Sequence, residues 1–356
     1  MVALAWESPA GTGDRSIRAR AVMAGLVVLC AAASVLSLAT GASGVSLWQA
    51  LAAVARGEAL DLRERVVLLD IRLPRLALGL MVGAALAVGG AVMQGLFRNP
   101  LADPGLVGVG AGAGLGAVVA IVLGALLPAG LAALTGIYTV PLAAFFCGWA
   151  TTMLLYRVST RAGRTSVATM LLAGIALGAL AGALTGILVY VADDQQLRDL
   201  TFWGLGSLAG ANWAKVLTAA PIILTALLAA PFLARALNGL ALGEAAAGHM
   251  GVPVQRAKNF AILTVAAATG AAVAVSGGIG FVGIVVPHLL RLAIGPDHRF
   301  LLPAAALLGA ALLVVSDIIA RLIIAPAELP IGIVTAVLGA PVFLWILLRR
   351  RGVLDL

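Results

Sequence analysis

A few side chains in this sequence are of types that could do chemistry, and their spacing limits what each can do. Asp317 and Arg321 stand four residues apart inside a long apolar run. A helix puts them on one face, where each charge offsets the desolvation of the other. That spacing fits a helix-end ion pair, or an outward-facing site that contacts a partner. His249, His288 and His298 show no ligand-like spacing. His288, directly after Pro287, reads as a packed polar group rather than a metal ligand. Cys30 and Cys147 lie in apolar runs, which supports neither a disulfide framework nor a cysteine metal site. The two lysines, Lys215 and Lys258, belong to no Walker A pattern, so no P-loop ATPase is expected on this chain. Gly278-Ile-Gly-Phe-Val-Gly283 matches G-x-G-x-x-G. It lacks the preceding strand and the later carboxylate of a nucleotide site, and reads instead as a tight re-entrant turn. No His/Asp/Glu or Ser/Lys set converges as an embedded enzyme would need, and the expectation is no metal and no cofactor on this chain.

The elements that must carry these residues follow from composition. The 356 residues are 62% hydrophobic, 11% charged and 5% aromatic, with a mean hydropathy of +1.11. Soluble domains run at roughly 45–50% apolar and about 25% charged, so this chain has too little polar surface for a soluble fold. At roughly 20 residues per crossing helix, its apolar residues furnish about ten spans. The low aromatic content and the long, poorly alternating runs exclude an outer-membrane barrel. The expected class is an all-α polytopic membrane protein. Spans fall near 21–41, 73–95, 105–128, 136–156, 166–191, 213–234, 258–276, 281–293, 300–323 and 330–348. The first is too long for the apolar stretch of a cleaved signal peptide, so residues 1–20 read as a cytoplasmic extension and 21–350 as one transmembrane domain. The net charge of +8 is spread over short loops, which argues against nucleic acid. With ten spans and both termini inside, fifteen of the 23 Lys and Arg residues fall on the cytoplasmic side and eight outside, the bias a bilayer topology demands.

Span interiors are nearly free of charge, whereas ion-coupled carriers and pumps place ionisable groups at mid-membrane. A secondary carrier is therefore the weaker alternative, and uphill transport through this chain would need energy from a partner. The 43 glycines are explained by close helix packing in lipid. Gly174, Gly178, Gly182 and Gly186 stand at strict i+4 spacing, forming either an internal packing face or one lining a pathway or subunit seam. Four loops look like interfaces. They are Ile71–Arg75 outside, Met93–Gly105 inside with its two prolines, Leu242–Pro253 inside, and Pro326–Gly332 outside. Residues 243–250 read as a short amphipathic helix, at the centre of a segment of about 238–257.

The chain resembles the membrane subunits of type II ABC importers, the permease family for iron–siderophore, haem and cobalamin uptake. The motifs that carry the resemblance are Arg72-Leu-Pro-Arg75, Gly90-Ala-Val-Met-Gln94, Asn99-Pro-Leu-Ala-Asp-Pro-Gly105, Leu172-Ala-Gly-Ile-Ala-Leu-Gly178 and Leu242-Gly-Glu244. They continue with Gly280-Phe-Val-Gly-Ile-Val-Val-Pro-His288, Asp297-His-Arg299, Glu328-Leu-Pro-Ile-Gly332 and Gly339-Ala-Pro341. The resemblance implies a cobalamin-importer-like permease fold of about ten helices in the bacterial inner membrane. It also implies a homodimer with a path on its two-fold axis, two ATP-binding cassette subunits holding ATP and Mg below, and a periplasmic binding protein above. By motif match, Arg72, Arg75 and Arg321 would receive acidic residues of the binding protein. Asn99 and Leu101, joined by Thr165 and Ser166, would form the inner gate. Leu242, Gly243, Glu244, His249, Met250 and Gly251 would dock into the ATPase. The stretch Ala192–Trp203 resembles the haem branch most, then the ferric-siderophore permeases, then the cobalamin permeases.

Overall fold

The computed structural model describes residues 15–41, 43–161 and 164–349. Most of the expected N-terminal extension, residues 1–14, lies outside them, and its last residues already belong to the first helix. In chain order the elements are α1 (Ser16–Ala39), α2 (Leu47–Ala55) and α3 (Leu62–Arg65), which runs through a π-helical stretch, Val66–Arg72, into α4 (Leu73–Leu96). A 3-10 turn, Pro104–Val107, leads into α5 (Val109–Leu123), followed by α6 (Ala129–Thr135) and α7 (Thr139–Ser159). Two short antiparallel strands, β1 (Thr160–Arg161) and β2 (Arg164–Thr165), precede α8 (Val167–Val191) and α9 (Asp194–Leu205). Then come α10 (Trp213–Ala229), α11 (Ala234–Ala241), α12 (Glu244–His249), α13 (Val254–Ser276), α14 (Val282–Ile294), α15 (His298–Leu322) and α16 (Ile331–Arg349).

Among the described residues eight stretches are long and apolar enough to cross a membrane, and two shorter apolar helices, Val282–Ile294 and Ile331–Trp345, stand beside them. Two boundaries differ from the sequence expectation. The second crossing is one helical rod over Leu62–Leu96, and the π-helical stretch Val66–Arg72 directly before Pro74 is the local widening by which a helix takes in a proline without breaking. The stretch after α8, assigned to no span, forms α9. Asp193 accepts the Gln196 N–H at 2.8 Å while the Gln196 side chain accepts the Asp193 N–H at 3.1 Å, a reciprocal cap. Between α13 and α14 the glycine-rich stretch is the tight turn expected, with Gly277 and Phe281 both at positive φ.

The core is built around α4, which packs against α15, α13, α14 and α10. In lipid the hydrophobic effect no longer drives helices together, so close backbone approach matters most. A methyl on Gly90 would overlap the Gly283 carbonyl, and one on Gly83 would overlap that of Gly309. Gly90→Ala is therefore expected to cost about 1–3 kcal/mol, the usual toll of overpacking. It should read as a lower unfolding midpoint in detergent, and an unchanged midpoint would refute the close crossing. Around this core α8 is peripheral. Among its described side chains only Met170 and Ala181 are buried.

Candidate functional site

At one end of the bundle the sequence brings three arginines and two carboxylates from the π-helical stretch, α4, α15 and the loop before α16 to one place. Arg75 meets Asp317 (Nη2–Oδ1 2.8 Å) and Glu328 (Nη1–Oε1 2.8 Å), and Arg321 Nε lies 3.1 Å from the second oxygen of Asp317. Asp317 thus serves two guanidiniums, not only the i+4 partner its spacing announced. Arg72 donates to the Leu38 carbonyl (2.5 Å) and to Ser43 Oγ (3.0 Å). Arg321 donates to the Thr40 carbonyl (3.2 Å) and to Ser37 Oγ (3.0 Å). These bonds place two cations at the C-terminal, negative end of α1, where the last carbonyls lack intrahelical donors. Loop position suggested exposed arginines. Arg72 and Arg75 are instead 4% and 7% exposed, because their donors are used inside the chain. The exposed cations of this face are Arg56, Arg63, Arg65 and Arg198.

At the other end of the bundle α12 stands between Gly243 and Gly251, both at positive φ, a conformation that favours glycine and lets the chain turn sharply at each end. Ala247 is fully buried and anchors α12 against α11, while Leu242 and Met250 are exposed at 70% and 47%. His249 is exposed as well. The result is a short helix held from beneath with apolar and polar side chains facing out, as the pattern of residues 243–250 suggested. Glu244 pairs with Lys258 of α13 at 2.7 Å. Lys258 is buried and also donates to the Thr165 carbonyl at 3.0 Å. Gln255 holds the same threonine twice, accepting its N–H (3.0 Å) and donating to its Oγ1 (2.6 Å). Ser166 then caps α8 by accepting the Thr169 N–H. Nearby, Asp297 caps α15 and pairs with Arg299 at 2.7 Å. That guanidinium holds the Asp297 carboxyl down to about 2, and Asn238 of α11 donates to it at 2.7 Å.

Of the proposed gate residues, Thr165 and Ser166 are thereby joined to Glu244 by a chain of bonds. Asn99 and Leu101 form their own turn, in which Asn99 Oδ1 accepts the Leu101 N–H at 2.9 Å. Leu101 is exposed, and the side chain of the adjacent Arg98 reaches Gly243. The turn Pro104–Val107 that follows packs against α8. By sequence Lys258 stands only as a cation outside any Walker A pattern and Gln255 only as part of the segment of about 238–257. Their signal was present as a polar stripe, Gln255, Lys258 and Asn259, at i, i+3 and i+4 on the start of an apolar span. Three of the four stripe glycines of α8 pack against nothing within this chain. A methyl added at Gly178, Gly182 or Gly186 would meet nothing within 4 Å. The face lies open.

A polytopic helical domain with an ion-pair network at one end and a short projecting helix at the other has the layout of a transport subunit. The comparisons agree. The FecCD transport family profile matches residues 29–349. The chain is 50% identical over 283 residues to the hemin transport system permease protein HmuU of Yersinia pestis, covering 80% of this chain and 83% of that protein. It is 42% identical to the vitamin B12 import system permease protein BtuC of Shigella boydii, over 92% of this chain and 94% of that one. A solved structure described as an inward-facing conformation of a metal-chelate type ABC transporter superposes with a TM-score of 0.81 at 32% identity, covering 93% of this chain and 99% of its own. The chain belongs to the FecCD transport family, the permeases of ABC import systems, which work with ATPase and binding-protein partners.

Proposed function

We propose that this chain is the membrane-spanning subunit of a haem importer of the bacterial inner membrane, with both termini cytoplasmic. Two copies face each other across the open face of α8, two ATPase subunits sit below, and a periplasmic protein delivers the cargo from above. The observation that carries the haem reading is the 50% identity to the hemin permease, against 43% and 42% for the cobalamin permeases of Halobacterium salinarum and Shigella boydii. The second reading, cobalamin, rests on the longer match to the Shigella protein. The charge bias of the loops supports the orientation.

The parts divide as follows. Leu242, Gly243, Glu244, His249, Met250 and Gly251 dock into the ATPase, which supplies the work this chain has no chemistry to generate. Asn99, Leu101, Thr165 and Ser166 close the inner end of the path. Gly174, Gly178, Gly182 and Gly186 give it a smooth wall. Arg72, Arg75 and Arg321, the latter two paired with Asp317 and Glu328, are the basic side chains that the outer mouth offers to an acidic partner. The exposed Arg63 and Arg65 at its rim make the first contact.

The test is reconstitution of the chain with its ATPase and binding protein in vesicles, offering haem, a ferric siderophore and cobalamin in turn. ATP-dependent, binding-protein-dependent accumulation of haem is the expected result. Accumulation of cobalamin alone would replace the haem reading by the second one. Charge reversal at the projecting helix, Glu244→Arg, should stop uptake while the chain still inserts. Uptake at the normal rate would remove α12 from the coupling assignment.

A further inference from the structure

The projecting helix α12 and the start of α8 are separate elements, and neither bonds the other directly in the contacts given above. One buried side chain spans the gap. The Lys258 ammonium donates simultaneously to Glu244 Oε1 at 2.7 Å and to the Thr165 carbonyl at 3.0 Å. An ammonium has three donors and no acceptor, so one group can serve both partners without rearranging. Lysine is seldom this buried unless paired, and here its exposure is 3%. The threonine end is held by more than that single bond. Gln255, one helical turn before Lys258, grips Thr165 by its N–H and its hydroxyl. Thr165 Oγ1 also lies 2.9 Å from Thr160 Oγ1 across the hairpin, and the Ser166 N–H donates to the Ser159 carbonyl at 2.9 Å. A shift of Glu244 therefore pulls on a braced hairpin whose next residue caps α8.

We propose that Lys258, seconded by Gln255, is the positioning residue that carries the movement of α12 to the inner end of α8. The ammonium is the link and the amide is the clamp that makes the hairpin follow it. This rests on the reading of α12 as the ATPase-docking helix. It adds a specific route by which docking reaches the gate.

The experiment is hydrogen–deuterium exchange on the full chain assembled with its ATPase, with and without ATP, read at residues 243–250 and at residues 160–170. In the unaltered complex ATP should change exchange in both segments. In Lys258→Met the change at 243–250 should persist and the change at 160–170 should vanish. In vesicles, haem moved per ATP should fall by about tenfold or more. Lys258→Arg keeps a cation with donors for both partners and should restore the second response, which a merely structural filler at this position would not require. Should Lys258→Met fail to fold, Gln255→Leu removes both bonds to Thr165 without touching α12 and should weaken the response at 160–170 alone. Persistence of both responses in Lys258→Met, or in Gln255→Leu if that is the variant used, overturns the proposal. If neither segment responds in the unaltered complex, the ATPase-docking reading itself has failed, which is a different result.

Discussion

Asp317→Leu is expected to be the most destabilising single change at the outer face, at about 3–5 kcal/mol, the cost of breaking a buried ion pair by removing one partner. The size follows from the arrangement. Asp317 is 3% exposed and lies 2.8 Å from Arg75 and 3.1 Å from Arg321. Without it two guanidiniums remain together in a nearly dry site, and only Glu328, whose side chain is 37% exposed, is left to offset them. Arg321 keeps its bonds to Ser37 and Thr40, but neutral acceptors do not cancel charge. The double variant Asp317→Leu/Arg321→Leu should recover part of the loss, because Arg75 then keeps Glu328 as a sole partner and the second uncompensated cation is gone. The measurement is the unfolding midpoint in detergent for both variants, with membrane-inserted yield as a second readout. A midpoint shift worth less than about 0.5 kcal/mol for the single variant, the range of ordinary surface substitutions, would mean that the network is wetter and weaker than its geometry indicates.

This network also marks where the sequence was legible and where it was not. The i, i+4 spacing of Asp317 and Arg321 announced the pair, because helix geometry alone brings them together. Nothing local announced Arg75 as the third member. Its partners lie 242 and 253 residues away in sequence, and only the close crossing of α4 and α15, made possible by Gly83 and Gly309, delivers them. The same limit hid the burial of Arg72, since an arginine beside a proline in an outer loop carries no mark of which way it turns. The crossings themselves were readable because an apolar run of about 20 residues has few alternatives in a bilayer. The helix α12 was readable from its breakers. The helix α9 was not, although the capping pair Asp193 and Gln196 stood at the right spacing, because its polar composition resembled an open loop. The bonds of Lys258 were hidden for a related reason. A positive charge at the inner end of a span satisfies the topology rule whether it faces water or a buried carbonyl.

Gly182→Phe should abolish most transport while leaving the isolated chain as stable as before, and this separation of the two effects is its value. Within one chain a side chain at Gly182 meets nothing, and the residue is exposed. A side chain there starts into open space at an exposed position, and by helix propensity the replacement of glycine is favourable by several tenths of a kcal/mol. Gly182→Ala should accordingly be neutral or slightly stabilising in detergent. If the same face closes against the second copy or lines the path, the ring must be accommodated where close approach through small residues was possible. Overpacking of that kind costs roughly 1–3 kcal/mol, a factor of about ten to a hundred in the balance between two arrangements of the path. Transport by Gly182→Phe should fall by about that factor, with Gly178→Phe and Gly186→Phe behaving alike because all three lie on one stripe. A phenyl on the opposite side, at the exposed Leu180 or Leu184, is the control and should transport normally. Equal transport by Gly182→Phe and the unaltered chain would assign the stripe to lipid, and the path would then have to run along another face of the helices around α4.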